Sequence, residues 1–326
     1  MSFHSDELNV QARAGVVTRG GGIRDFMPEQ HRAFFGALPH LFVATLDAAG
    51  WPLATLLEGE PGFVSSPDPK TLRIQSLPGA DDPAHGTIRK GQEVGLLGID
   101  LTTRRRNRAN GVVSDVAIEF FTVAVQQSFG NCPQYIQRRA LSRAGATKRP
   151  VRALESLDDD ARKLISHADT FFVASRSRSD VGSGGGADIS HRGGRPGFVH
   201  VDGNVLSIPD FRGNHYFNTL GNLLGEPRSS LLFLDFETGD LLQLQGLASI
   251  DWSPSAKEQF EGAERIWHFR VTRGWTRPRA AALRGSFVDY SPVTLRTGAW
   301  RELEGRLQAI ADRLVEPGAS RSSTMR

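Results

Sequence analysis

Cysteine is almost missing from this chain. Its 326 residues include one, Cys132, which excludes an internal disulfide and any all-cysteine metal site. Long hydrophobic runs are missing as well, since no apolar stretch approaches the roughly 18 residues needed to span a bilayer as a helix. The nine histidines are scattered without zinc-ligand spacing, so no metal is expected. Net charge is only +3 despite an arginine excess. No reader motif or aromatic-studded basic sheet accompanies those arginines, which argues against nucleic acid as a partner. The glycine-rich stretch at 182–186 lacks a Lys-Ser/Thr ending and a following helix, so it reads as a hairpin tip and not as a phosphate loop. The opening residues MSFHSDELNVQARAG carry acids and lack an apolar core, unlike a secretory signal. With 39% hydrophobic and 23% charged residues, the expectation is a cytoplasmic globular protein without membrane contact, long enough for two domains with separate cores.

What the sequence does have is a repeat. Residues 33–45, ending Leu41-Phe42-Val43-Ala44-Thr45, match residues 163–175, ending Phe171-Phe172-Val173-Ala174-Ser175. Farther on, Pro61-Gly62-Phe63-Val64 recurs as Pro196-Gly197-Phe198-Val199, and Leu72-Arg73-Ile74 as Leu206-Ser207-Ile208. Asp100 and Gly111 then match Asp235 and Gly246, eleven residues apart in both copies. Four motifs in one order define two copies of one unit. Each copy opens with a short helix, beginning at Pro28 in the first and at a Ser156/Asp159 capping-box pattern in the second. Short strand-like runs follow at regular spacing, with turn signals between them and no room for crossover helices. The fold class expected is mainly β, a β-barrel with short helices, present twice by internal duplication. The boundaries read as an N-terminal arm over 1–27, a first barrel over 28–137 and a linker over 138–155. A second barrel over 156–290 carries the main binding motifs, and 291–326 holds a C-terminal helix on Trp300, Leu303, Leu307, Ile310 and Leu314 before a disordered tail.

Comparing the copies isolates the candidate chemistry. In the second copy Asp188-Ile189-Ser190-His191-Arg192 replaces the mostly apolar Ala54–Glu58, so this strand is either a polar edge or a binding strand. Alternation would put Asp188, Ser190 and Arg192 on one face and His191 on the other. Asp210, Arg212 and Asn214 follow another strand and run into a helical stretch starting near Asn218. That arrangement is either a solvated loop or an anion site at a helix start. The first copy has the acidic Asp81 and Asp82 there, which would repel a phosphate. Arg104 to Arg108 replace a Leu-rich strand, and either face solvent or deliver charge to the other copy; the second reading is favoured. Arg104, Arg106 and Arg108 would then share a face. Cys132 reads as a buried structural thiol, and Gln134, Tyr135 and Gln137 as groups able to hydrogen-bond a ring edge.

Residues 186–199, the stretch from Arg212 to Leu224, and the strings TRRRNR (103–108) and FGNCPQYIQRR (129–139) resemble the flavin-binding split barrels of the pyridoxamine 5′-phosphate oxidase superfamily. The likeness is to a branch with two barrels in tandem, and it spans about residues 28 to 290. It implies FMN at a junction between barrels, with haem or deazaflavin as the alternatives. It places the flavin phosphate near Ser190, His191 and Arg192 and near Asp210, Arg212 and Asn214. The other expected binding residues are Asn218, Arg106, Arg108, Gln134 and Tyr135. The second-strand lysine and Ser-Arg-Lys turn of the vitamin-oxidising members are absent, so the substrate is a different small molecule or electron donor. The implied function is an FMN-dependent oxidoreductase, with a non-catalytic flavin or haem binder as the alternative. No catalytic residue is assigned, and the family's habit of pairing barrels between chains extends the expectation to a homodimer.

Overall fold

The structure is a computed structural model that describes residues 3–18, 22–145, 149–181, 184–253, 255 and 258–300. It is mainly β, as expected. After α1 (Ser5–Arg13) and α2 (Glu29–Ala37) come β1 (His40–Leu46), β2 (Pro52–Glu58), β3 (Val64–Ser65), β4 (Thr71–Ile74), β5 (Glu93–Asp100), β6 (Arg105–Val116) and β7 (Phe121–Asn131). Next are β8 (Arg138–Arg143), β9 (Arg152–Leu154) and α3 (Asp159–His167). A second series follows: β10 (Thr170–Arg176), β11 (Ala187–Gly193), β12 (His200–Asp202), β13 (Val205–Phe211), α4 (Asn218–Gly225), β14 (Arg228–Leu234), β15 (Leu241–Asp251), β16 (Ala263–Arg277) and β17 (Leu283–Asp289). One sheet runs β2-β1-β5-β6-β7-β4-β3 and the other β11-β10-β14-β15-β16-β13-β12. Strand for strand, the order is the same.

Register makes the equivalence exact to the residue. Val43 faces Thr55, and Val173 faces Ser190, so Thr55 and Ser190 hold one position in the two halves. Phe42 faces Leu97, which faces Arg108; Phe172 faces Leu232, which faces Gln243. Each long hairpin carries a bulge at the same glycine, between Asn110 and Gly111 and between Gln245 and Gly246. A Cβ at Gly111 would stand 2.1 Å from the Ala124 carbonyl oxygen, and at Gly246 2.2 Å from that of Arg270. Only glycine permits this approach.

Alternation along β1 and β10 explains why both read as unbroken apolar runs. Leu41 and Val43 enter the first core with Phe35, Leu57 and Phe121, while Phe171 and Val173 enter the second with Phe198, Trp267 and Phe269. Phe42 and Ala44 point the other way and meet Phe172 and Ala174 in a third cluster between the halves, shared with Leu97, Ile99, Leu232 and Leu234. The rings of Phe42 and Phe172 stack with centroids 3.5 Å apart and planes 16° apart. Equivalent residues meeting each other is the mark of an isologous, twofold-type contact, formed here within one chain.

Several local expectations change. Pro28 is the cap of α2 and not its first residue, and α3 is capped by Asp158, whose carboxylate accepts the Ala161 N–H at 2.9 Å. Residues 138–155, read as a linker, contribute β8, which pairs with β17, and β9, which pairs with β16. The N-terminal arm forms α1, and its His4 and Glu7 reach the second half at α4. The expected C-terminal helix lies outside the described residues except for Trp300, whose indole N–H donates to the Phe198 carbonyl at 2.9 Å.

Candidate functional site

The junction opens into a cleft with about 780 Å³ of empty space, open solvent included, lined by β6, the end of β7 and the segment after it from the first half and by β11, the end of β13 and the start of α4 from the second. Arg106 and Arg108 cross from the first half. Arg106 Nη1 donates to His191 Nδ1 at 3.0 Å, and Arg108 Nη1 forms a buried pair with Asp188 at 2.9 Å, which Asn110 also donates to. Arg192 pairs with Asp210 at 2.7 Å, and Asp210 is shared with the buried Arg265. Asp188 thus neutralises Arg108, and Asp210 together with Glu264, which also pairs with Arg265, balances Arg192 and Arg265. Arg106 has no carboxylate partner among the described residues. Burial first, then the Arg108 charge, pushes its pKa down to about 9, which leaves it cationic at neutral pH.

His191 is buried, and burial together with the guanidiniums of Arg106, Arg192 and Arg108 holds its pKa well below the ordinary value. The ring is therefore neutral. Because a guanidinium only donates, Nδ1 accepts from Arg106 and the ring proton sits on Nε2. That Nε2 has no partner among the described residues. Of fourteen buried side-chain polar atoms without partners among the described residues, six belong to this lining: on Arg106, Arg108, Asn131, His191, Arg192 and His215. Buried polar atoms are ordinarily satisfied, so their concentration here marks a place for a polar ligand.

The rim supplies further features. Tyr135, His215 and Phe217 all line the cleft with left-handed backbone, at φ 61°, 60° and 59°. Non-glycine residues held this way carry strain of the kind that gathers at ligand sites. Tyr135 stacks on Phe211 at 5.1 Å, and its hydroxyl donates to the Arg212 carbonyl. Phe217 caps α4 without a side-chain bond, so the first-turn N–H groups at Asn218, Thr219 and Leu220 lack an internal partner at the cleft wall.

Of the residues singled out from sequence, Arg106, Arg108, Tyr135, His191, Arg192, Asp210, Asn214 and Asn218 line the cleft. Ser190 is buried behind it, accepting from Thr219 at 2.8 Å. Arg212 is exposed and, like Gln134, stands outside the lining. Arg104 leaves the expected face altogether: it lies in a turn before β6, at φ 59°, and grips Asp289 and the Ile136 carbonyl. Gln137 is structural, bonded to the Gly194 carbonyl and the Ser291 N–H. Cys132 is half-buried at the cleft and not a core thiol. Sequence reasoning missed Asn131, Thr219 and Arg265. Asn131 sits inside the quoted string 129–139, whereas nothing local marks Arg265.

No family model and no curated protein matches the chain. Among solved structures it is similar to HupZ of Group A Streptococcus (14% identity, 39% of this chain and 97% of that one, TM-score 0.30). It is similar also to an FAD-binding protein of Mesorhizobium loti (11%, 39% and 97%, 0.26). A third is a protein of Clostridium acetobutylicum related to general stress protein 26, of the pyridoxinephosphate oxidase family (13%, 40% and 92%, 0.26).

Proposed function

We propose that the cleft binds the phosphate-bearing end of a flavin, FMN by the sequence resemblance, and that the chain is an FMN-dependent oxidoreductase built from two split barrels related by internal duplication. One observation carries this: Arg106, a cation with no carboxylate partner among the described residues, faces the cleft beside the protonated Nε2 of His191 and the open first turn of α4. That is the donor set a phosphate monoester takes. Bound flavin would supply the electron-transfer chemistry, and the protein need only hold and orient it. The family's junction between paired barrels is met here inside one chain, so a second chain is not required to complete the cleft.

Haem held by His191 fits less well. Ligation needs a lone pair on Nε2, and the Arg106 bond to Nδ1 leaves the proton there. The test is titration of purified protein with FMN and with riboflavin, followed by flavin fluorescence. Arg106→Ala should weaken FMN by about 1.5–3 kcal/mol, the scale of a charged hydrogen bond, and leave riboflavin nearly unchanged. FMN affinity should also fall with salt. Equal FMN affinity in wild type and variant would remove the assignment.

A further inference from the structure

On the other side of the twofold relation, the place equivalent to the cleft is filled. Leu56 and Leu57 stand where the second half has His191 and Arg192, and Leu241 stands where the first half has Arg106. Gln243 takes the position of Arg108, and Arg277 that of Asn131. Against Gln243 and Arg277 of this set the loop after β4 inserts Asp82, whose side chain is 2% exposed. Its carboxylate collects four donors from both halves. Arg277 Nη1 donates at 2.8 Å, Thr55 Oγ1 at 2.5 Å, Gln243 Nε2 at 3.2 Å, and the Ala84 N–H at 2.8 Å. Guanidinium, hydroxyl, amide and backbone N–H form a cradle of the kind that holds oxyanions. Here the oxyanion is the chain's own side chain, and Asp81 stands 3.9 Å from the same guanidinium as a further negative group.

We propose that this is a second anion site, closed by Asp82 acting as an internal ligand, so that each chain binds one phosphate-bearing molecule and not two. The count of bound molecules rests on the flavin reading above; the closed cradle does not. Removing the Asp82 carboxylate strands a buried Arg277 and frees three donors besides it, a vacancy that a small oxyanion from solution can enter.

Inorganic phosphate is the probe. In chloride buffer, Asp82→Ala should melt about 6–12 °C below wild type, as expected for a broken buried ion pair in a chain of this size. Added phosphate should then raise its melting temperature saturably, by more than it raises wild type, and Arg277→Met in the same variant should abolish the rescue. Should Asp82→Ala not fold, Asp82→Ser removes the carboxylate, keeps one small polar group, leaves room for the anion, and gives the same readout. Parallel responses of wild type and variant to phosphate, or rescue that survives Arg277→Met, would overturn the proposal. Separately, FMN titration of wild type should saturate at one per chain, and saturation at two would overturn the count. If wild type binds no flavin at all, the functional reading falls while the phosphate rescue still decides the cradle.

Discussion

The two halves share strand order, bulge position and the residues stacked on their common axis, yet their equivalent polar sites have opposite contents. Across the junction one side carries Arg106, Arg108, His191 and Arg192, and the other Leu241, Gln243, Leu56 and Leu57 at the same positions. The framework is therefore set by residues that agree between halves, and the chemistry by residues that do not. Two halves with one strand order let one keep packing while the other departs from it. The stacked Phe42 and Phe172 test the shared part. Truncating either to alanine removes a fully buried ring from the central cluster and should lower stability by about 3–5 kcal/mol, the largest effect expected here. If the contact is symmetric, chemical unfolding midpoints of Phe42→Ala and Phe172→Ala will fall by similar amounts. A cost confined to one of them would mean that the junction leans on one half.

That framework was legible in sequence because the sequence repeat prints it twice. Alternation, Gly111 with Gly246, and the Phe42/Phe172 pair all lie in strings that recur at fixed offsets. The copy-to-copy contrast also pointed to β6 and β11, since a polar residue where its twin is apolar needs a reason. What the sequence did not show was pairing. Asp188 and Asp210 each absorb a guanidinium over long separations, so Arg106 emerges as the cation without a carboxylate only when those partners are placed. Arg104 was misread because strand alternation was carried one residue past the strand, into a turn with left-handed backbone. Asp82 was read as repelling phosphate; in the structure it takes an oxyanion's place. The arm over 1–27 offered no repeat to compare, and its contact with α4 depends on tertiary placement alone.

The contrast between Arg108 and Gln243 can be sharpened by making the halves alike. Arg108→Gln places the second half's residue in the first half and leaves Asp188, 4% exposed at its side chain, without its guanidinium. Asn110 remains as a donor at 3.0 Å. Breaking a buried pair by deleting one partner is destabilising because the other charge stays buried. The expected loss is about 2–4 kcal/mol in the unfolding midpoint, somewhat below the full range because Asn110 stays. Arg108→Gln with Asp188→Asn should recover more than half of it. Failure of the double variant to recover would show that Arg108 serves something other than Asp188.

The smallest effect expected concerns the N-terminal helix. Helix α1 lies on α4, and the Glu7 carboxylate there accepts from the His4 N–H at 2.9 Å and from Asn218 Nδ2 at 2.5 Å. Burial raises its pKa from 4.5 to about 7, with Asp188 adding to the rise and Arg108 opposing it. The folded chain therefore keeps a proton on Glu7 that the unfolded chain releases near 4.5. Between those values the folded state binds more protons, so the free energy of unfolding falls as pH rises through the window. The gap corresponds to about 3 kcal/mol as a ceiling, and about 1–2 kcal/mol is expected once the helix relaxes toward water. Glu7→Gln removes the titrating group and keeps a side-chain oxygen for the His4 N–H. It should match wild type near pH 4 and exceed it near pH 8, flattening that part of the pH–melting profile. His4 cannot produce the same slope, because burial lowers its pKa and the ring takes up its proton only on the acid side. A variant profile parallel to wild type from pH 4 to 8 would assign the slope to other groups and leave α1 as packing alone.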